Sequence, residues 1–473
     1  MSFEFADEKK LYYICNRNPG CGNRGCDCKL KYIKMKFFDR KEEVATLRRI
    51  RDKSEQNAQF TVITGRRRIG KTSLVVKAYE DRKFLYFFVG RKAESLLCEE
   101  FRTEIENKLG VKLGGTPSGF SELFDYLMTL SKERSFTLFI DEFQNFERVN
   151  PSVFSDMQRI WDLNHQESKI NLIVCGSIYS MMTKIFRDKK EPLYNRQNRF
   201  MTIKAFRPSV LKEIMKEYYP AYTNDDLLAL YSFTGGVAKY VQLLVDDDAL
   251  TIDSMIKSII REDSTFINEG RSILIEEFGK EYDTYFSILY AIASGKTHRS
   301  EIESIINKQI GGYLTRLEDD YGIISKEIPV GAKALSKNAV YTIQDNFFTF
   351  WFRFIFKYGH ILEIGGYEHL QSIISRDYTT FSGFMLERYF RQKAIESKKF
   401  TGIGRWWDRK GENEIDMVAS NELDHTVEIC EIKRNRKNIS FKLLEEKTAR
   451  MLGAVNSFHG YSISVKGLDL EDM

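Results

Sequence analysis

Gly65-Arg66-Arg67-Arg68-Ile69-Gly70-Lys71-Thr72 decides how the rest of this chain is read. An apolar, β-rich run, Phe60-Thr61-Val62-Ile63-Thr64, leads into it, and a helical pattern, Ser73-Leu74-Val75-Val76-Lys77-Ala78, leads out. Glycines at both ends let backbone N–H groups curl around phosphate oxygens. The lysine then reaches the terminal phosphates, and the hydroxyl after it serves Mg²⁺. The helix that follows points its positive end at the same anion. Gly65 through Ser73 is therefore expected to bind ATP, with Lys71 catalytic and Thr72 a metal ligand.

A second stretch supports this reading. Phe136-Thr137-Leu138-Phe139-Ile140 is the short apolar run that a buried parallel strand requires, and it ends in Asp141-Glu142. An acid at such a strand end holds the metal in phosphoryl-transfer ATPases, and the next acid orients the attacking water. Asp141 is assigned to Mg²⁺ and Glu142 to water activation.

At 473 residues the chain is too long for one ordinary core, so several domains are expected. Its 42% hydrophobic and 29% charged residues are those of a folded rather than a disordered chain. A net charge of +5 permits nucleic-acid contact without demonstrating it. No apolar stretch approaches the ~20 residues that span a bilayer, and no signal peptide is visible, so no membrane role and a cytoplasmic location are expected. Cys98, Cys175 and Cys430 suit free thiols in a reducing compartment. Cys15, Cys21, Cys26 and Cys28 crowd a Gly/Asn/Arg-rich stretch without paired C-x-x-C knuckles. Residues 1–34 are read as an extension ahead of a natural start at Met35, with zinc binding as the alternative.

Strands are expected at residues 60–64, 84–89, 136–140, 171–175 and 202–204, alternating with helices. That pattern defines an α/β fold, a parallel sheet with helices on both faces over 35–206. A helical lid (207–275), interrupted at Thr234-Gly235-Gly236, should follow. Over 276–345 three short helices, the second behind a capping Ser300, precede two paired strands, the order of a winged helix-turn-helix. Its third helix carries Tyr313, Thr315 and Arg316 but also Glu318, Asp319 and Asp320, which oppose major-groove docking; a protein-packing module is the alternative. The aromatic block Phe347, Phe348, Phe350, Trp351, Phe352, Phe354 and Phe356 opens a helical linker (346–380). It reads as buried packing in preference to a base-stacking surface.

Taken together, these pieces resemble the prokaryotic AAA-like and STAND-like P-loop ATPases called the archaeal ATPase family. The motifs are Phe38-Asp39-Arg40-Lys41-Glu42-Glu43, Gly65 to Thr72, Leu138 to Phe143, Val174-Cys175-Gly176-Ser177, Pro192-Leu193-Tyr194-Asn195-Arg196 and Gly235-Gly236-Val237-Ala238-Lys239-Tyr240. The block from Asp345 to Phe354 looks like the family's signature ahead of its C-terminal domain. The resemblance implies Arg40 near the base or sugar, Ser177 sensing the γ-phosphate, Arg196 as an arginine finger and Lys239 as a second sensor. Ala238 stands where relatives carry proline, and Asn195 where they carry glycine.

Residues 381–473 hold a second chemical pattern. Asn413-Glu414-Ile415-Asp416-Met417-Val418-Ala419 and Val427-Glu428-Ile429-Cys430-Glu431-Ile432-Lys433 both read as strands, with Glu431 and Lys433 on one face. With a helix over 384–391 carrying Glu387, and Gly402-Ile403-Gly404-Arg405-Trp406-Trp407 between, the set resembles the restriction-endonuclease-like PD-(D/E)xK fold. That resemblance makes Asp416 and Glu431 metal ligands and Lys433 the residue that positions or deprotonates water. Lys433-Arg434-Asn435-Arg436-Lys437 would meet a DNA backbone. The sequence thus reads as an ATP-hydrolysing switch coupled to a nuclease-like, DNA-binding domain. The alternative is a nucleotide-dependent scaffold whose C-terminal domain is catalytically silent. DNA, a protein partner and a second copy of the chain are the partners left open.

Overall fold

All six residues of β1 (Gln59–Thr64) are buried, as are all six of β4 (Ile170–Cys175). Continuous apolar runs of this kind are what strands covered on both faces require. Together with β2 (Leu85–Phe88), β3 (Phe136–Asp141) and β5 (Arg199–Thr202) they form one parallel sheet in the order β2-β3-β4-β1-β5. Alternate side chains feed opposite cores. Phe139 and Ile63 pack with Leu47, Leu74 and Val75 on one side, whereas Leu138, Ile140 and Val62 pack with Leu97, Phe124 and Ile160 on the other. The structure, a computed structural model, describes residues 35–115, 117–333, 336 and 338–473. The zinc question at Cys15 to Cys28 lies outside them.

The fifth strand lies earlier than residues 202–204. It is an edge strand paired only with β1, and its exposed Arg199 and Thr202 conceal the alternation. Ile203 N–H closes the ladder by donating to the Thr64 carbonyl at 2.8 Å.

Beyond the sheet the chain becomes helical. The helix Asn224–Thr234 ends at Gly235 and Gly236, whose φ values are 59° and 71°. A Cβ on Gly236 would stand 2.4 Å from the Phe206 carbonyl oxygen, so only glycine fits this close approach. The expected boundary at 275/276 falls inside the continuous helix Thr265–Phe278. Helices Tyr282–Ala293, Arg299–Ile306 and Gly311–Thr315 then lead to an antiparallel hairpin of β6 (Ile324–Glu327) and β7 (Val340–Ile343). The middle helix is capped by His298 rather than Ser300, because the Glu301 carboxylate accepts the His298 backbone N–H at 3.2 Å.

Phe347, Phe348, Phe350, Trp351, Phe352 and Phe354 are buried, which excludes the base-stacking alternative for them. They pack against the helices before and after them; Phe350, for example, lies 4.8 Å from Phe233 between ring centroids.

The last part is built on the helix Tyr367–Ser397, far longer than the 384–391 expected, and it runs straight through the boundary placed at 380/381. Four strands follow: β8 (Gly402–Trp407), β9 (Glu414–Asn421), β10 (Thr426–Ile432) and β11 (Ser462–Leu468). Their order is β11-β10-β9-β8, with β10 and β11 parallel and the other pairs antiparallel. The loop of the β6–β7 hairpin covers the β8 edge. Val330 N–H donates to the Arg405 carbonyl at 2.9 Å, and Trp407 Nε1 donates to the Asn338 carbonyl at 3.2 Å. Among the described residues, no helix is long and apolar enough to cross a membrane.

Candidate functional site

The phosphate loop leaves the carboxyl end of β1. Gly65 has φ 147° and Gly70 φ 94°, and a Cβ on Gly65 would stand 2.6 Å from the Ile203 carbonyl oxygen. The turn therefore demands glycine there. Arg68 also adopts a left-handed conformation, at φ 66°. Lys71 opens the helix Lys71–Ala78. Its buried Nζ donates to the carbonyls of Gly65 at 2.8 Å and Arg66 at 3.0 Å, inside the curve of the loop. Ile69 anchors the loop in the core, and Ser73 is exposed on the first helical turn.

Thr72 Oγ1 donates to Asp141 Oδ2 at 2.7 Å across the intervening strand β4. Two hard oxygen donors so close can share one Mg²⁺, which favours such ligands and leaves its other positions to phosphate and water. The residues present fit that ion. Tyr86 OH donates to the same carboxylate oxygen at 3.2 Å. Burial, reinforced by Asp141, holds the Tyr86 phenol well above its ordinary range, so it remains a donor. Glu142 sits in the left-handed region at φ 56°, and its N–H donates to Asp141 Oδ1 at 2.9 Å. Its Oε2 accepts from Gln144 Nε2 at 2.6 Å and Ser177 Oγ at 2.8 Å. Ser177, expected to face phosphate, thus contacts the acid expected to activate water. Tyr86 and Gln144 escaped the sequence reading; the only signal was that Gln144 lies two positions past Glu142.

The loop arginines turn their side chains toward carboxylates from much later in the chain. Arg66 pairs with Asp345 and stacks over Phe348, 4.1 Å from the ring centroid. Arg67 pairs with Glu276 at 2.7 Å, and Arg68 with Glu269 at 2.6 Å. Burial pulls the Arg66 guanidinium down to about 10. Lys239 N–H donates to the Arg68 carbonyl at 3.2 Å, so the backbone of Lys239 touches the loop. Arg40 is buried, bonded to the Lys204 carbonyl and 5.4 Å from the Phe206 ring centroid.

Arg196 is not brought to this site within one chain. It pairs with Asp162 at 3.1 Å near the amino end of β1, where Asn198 N–H meets the Phe60 carbonyl at 2.8 Å. From there to the phosphate loop is roughly 16 Å along the strand. Any finger role would be exerted on another copy of the chain.

A second polar cluster joins β9 and β10. Lys433 Nζ lies 3.0 Å from Asp416 Oδ2 and 3.1 Å from Glu431 Oε1. Asp416 Oδ2 also accepts the Ile432 N–H at 2.7 Å, and Lys447, absent from the sequence reading, meets Glu431 Oε2 at 3.2 Å. Both carboxylates thus converge on one cation, the Lys433 ammonium. Glu387 lies alongside; burial, then the Asp416 charge, push it up to about 7. Among the described residues, no group of three or more His, Cys, Asp or Glu converges as a ready-made metal cage.

The basic stretch 433–437 is not a free cationic surface. Arg434 makes two bonds to Asp225, at 2.9 and 2.6 Å, and Arg436 pairs with Asp469 at 3.1 Å and Asp472 at 2.5 Å. Neighbouring carboxylates thus pair with Lys433, Arg434 and Arg436, while Lys437 is exposed. In the third helix Arg316 likewise pairs with Glu281 at 3.0 Å.

Comparison with known proteins bears on the domain that carries the first site. Residues 37–244 match the family described as an ATPase domain predominantly from Archaea, and residues 351–450 match archaeal and bacterial proteins of unknown function. The chain is 32% identical over 407 residues to the uncharacterized protein MJECL04 of Methanocaldococcus jannaschii, a match spanning 84% of this chain and 87% of that one. Among solved structures, the Walker-type ATPase PABY2304 of Pyrococcus abyssi is similar, with a TM-score of 0.52 at 20% identity over 67% of this chain and 96% of that chain. The ORC2 protein of Aeropyrum pernix, in its ADPNP–ADP complexes, gives a TM-score of 0.50 at 14% identity over 74% of this chain and 98% of that chain. At these identities the two structures share the fold alone. The chain belongs to one family with MJECL04, its residues 37–244 form a P-loop ATPase domain, and it is an ATP-hydrolysing enzyme.

Proposed function

We propose that the enzyme is an ATP-driven switch in which the phosphate loop wraps the triphosphate, Lys71 contacts the terminal phosphates, and Thr72 with Asp141 holds Mg²⁺. Held by Thr72 and Asp141, the ion would supply positive charge against the phosphates. Glu142 orients the attacking water, Ser177 and Gln144 orient Glu142, and Arg40 and Lys239 line the nucleotide's approach. The 2.7 Å contact between Thr72 and Asp141, with Glu142 next in the chain, carries this reading. The pairs Arg67–Glu276 and Arg68–Glu269 join the loop to the helix Thr265–Phe278. Phosphate charge at the loop would compete for those arginines and so bias the later helices, a two-state device.

For the C-terminal module we propose divalent-metal-dependent phosphodiester chemistry by Asp416, Glu431 and Lys433, with the three helices and hairpin forming a winged helix. A metal at the two carboxylates would polarise water and the phosphodiester. Two observations favour the scaffold reading instead: the hairpin loop packs on β8, and both arginines of the basic stretch are paired with carboxylates. ATP turnover measured with duplex DNA, with single-stranded DNA and with neither separates the two. Stimulation together with Mg²⁺-dependent cleavage lost in Asp416→Asn supports the nuclease reading. Neither cleavage nor salt-dependent DNA affinity leaves the scaffold.

A further inference from the structure

A cavity of about 500 Å³ lies between the β6–β7 hairpin and the C-terminal module, lined by no residue of the phosphate loop. Arg388, Arg391 and Arg405 line it, with Asn346, Gln392 and Glu327. Two of the arginines are answered by carboxylates. Arg405 pairs with Glu414 and, at 3.5 Å, with Glu327, while Arg391 lies a loose 3.6 Å from Glu387. Arg388 differs. Among the described residues its hydrogen-bond partners are neutral oxygens, Asn346 Oδ1 at 3.0 Å and the Ile343 carbonyl.

A guanidinium enclosed by protein normally finds a carboxylate, because burying an unpaired charge is costly. Burial pulls Arg388 down to about 10, with Arg391 and Arg405 adding to the shift and Tyr231 and Glu327 opposing it. Among the described residues no carboxylate comes within ion-pair distance of Arg388, and Glu327, which acts on it from farther off, is already paired with Arg405. Arg388 nevertheless keeps accessible surface and borders the cavity. Planar guanidinium forks match phosphate oxygens in pairs, and the volume falls within the roughly 300–1,000 Å³ of small-molecule sites.

We propose that this cavity binds a small phosphate-bearing ligand of about mononucleotide size, with Arg388 as the principal anchor and Arg391 and Arg405 flanking it. The negative wall at Glu327 is occupied internally, by Thr342 Oγ1 at 2.8 Å and by Arg405. Because the cavity is bounded by both the hairpin and the helix Tyr367–Ser397, an occupant would fix one against the other.

The test is a calorimetric titration of the full chain, its phosphate loop saturated with a non-hydrolysable ATP analogue, using inorganic pyrophosphate and, separately, citrate. One saturable pyrophosphate event is expected, weakened by roughly tenfold in Arg388→Gln, as loss of a charge-assisted bond predicts. Gln392→Phe fills the space while keeping every arginine, so it reports on the site even if Arg388→Gln folds poorly. No saturable event, or equal affinity in wild type and Gln392→Phe, overturns the proposal. Citrate binding as tightly as pyrophosphate overturns its assignment to phosphate.

Discussion

Ser177 Oγ donates to Glu142 Oε2 at 2.8 Å, tying the end of β4 to the acid that follows β3. Gln144 Nε2 bonds the same oxygen at 2.6 Å. Two donors on one oxygen fix the carboxylate's orientation while Glu142 is held in a left-handed conformation that few non-glycine residues adopt.

Glu142→Gln should therefore bind ATP normally while turnover falls on the order of 10²–10⁴-fold, the range for removing a proton-accepting group. Ser177→Ala, which only releases the carboxylate, should lose much less. Phosphate release alongside nucleotide binding measures both. Unchanged turnover in Glu142→Gln would reassign the water-orienting role.

Lys71→Ala should weaken ATP binding by roughly 10- to 100-fold, the loss expected for one charge-assisted contact. Thr72→Ala should instead raise the Mg²⁺ concentration required for turnover. An identical Mg²⁺ dependence in wild type and Thr72→Ala would remove Thr72 from the metal's surroundings.

Asp345→Asn isolates the Arg66 pair, because asparagine can still accept the Phe348 N–H that Asp345 caps at 3.2 Å. Leaving Arg66 enclosed without its carboxylate should cost roughly 3 kcal/mol in chemical denaturation. A midpoint equal to wild type would mean solvent already screens the pair.

The Glu387 carboxyl, ordinarily near 4.5, is pushed up to about 7 in the folded chain. Between those values the folded state holds the proton more tightly than the unfolded state, so its contribution to stability declines as pH rises from 4.5 toward 7. Glu387→Gln should flatten that part of the stability profile. A wild-type slope persisting unchanged in Glu387→Gln would assign the titration elsewhere.

Arg434→Ala should loosen the contact of the C-terminal module with Asp225 and raise susceptibility to proteolysis. It should leave the salt dependence of any DNA binding unaltered, since a neutralised arginine releases no counterion. A reduced salt slope would return Arg434 to the nucleic-acid surface.

The phosphate loop, Asp141, Glu142 and four of the five sheet strands were legible because each is written in contiguous residues whose local patterns dictate their own backbone. β5 was misjudged because an edge strand needs no buried alternation. The acid–lysine cluster was legible by motif except for Lys447, which arrives from a separate helix and carries no signature of its own.

The amino-acid order by itself determined the P-loop α/β architecture and where phosphate can bind. Only the tertiary structure decided which charges remain available for a ligand. Arg66 meets Asp345, Arg196 meets Asp162 and Arg434 meets Asp225, while Arg388, among the described residues, donates to the neutral oxygens of Asn346 and Ile343. Such pairings join residues far apart in the chain, and their strength depends on a few ångströms of separation and on local burial, neither of which a linear pattern encodes.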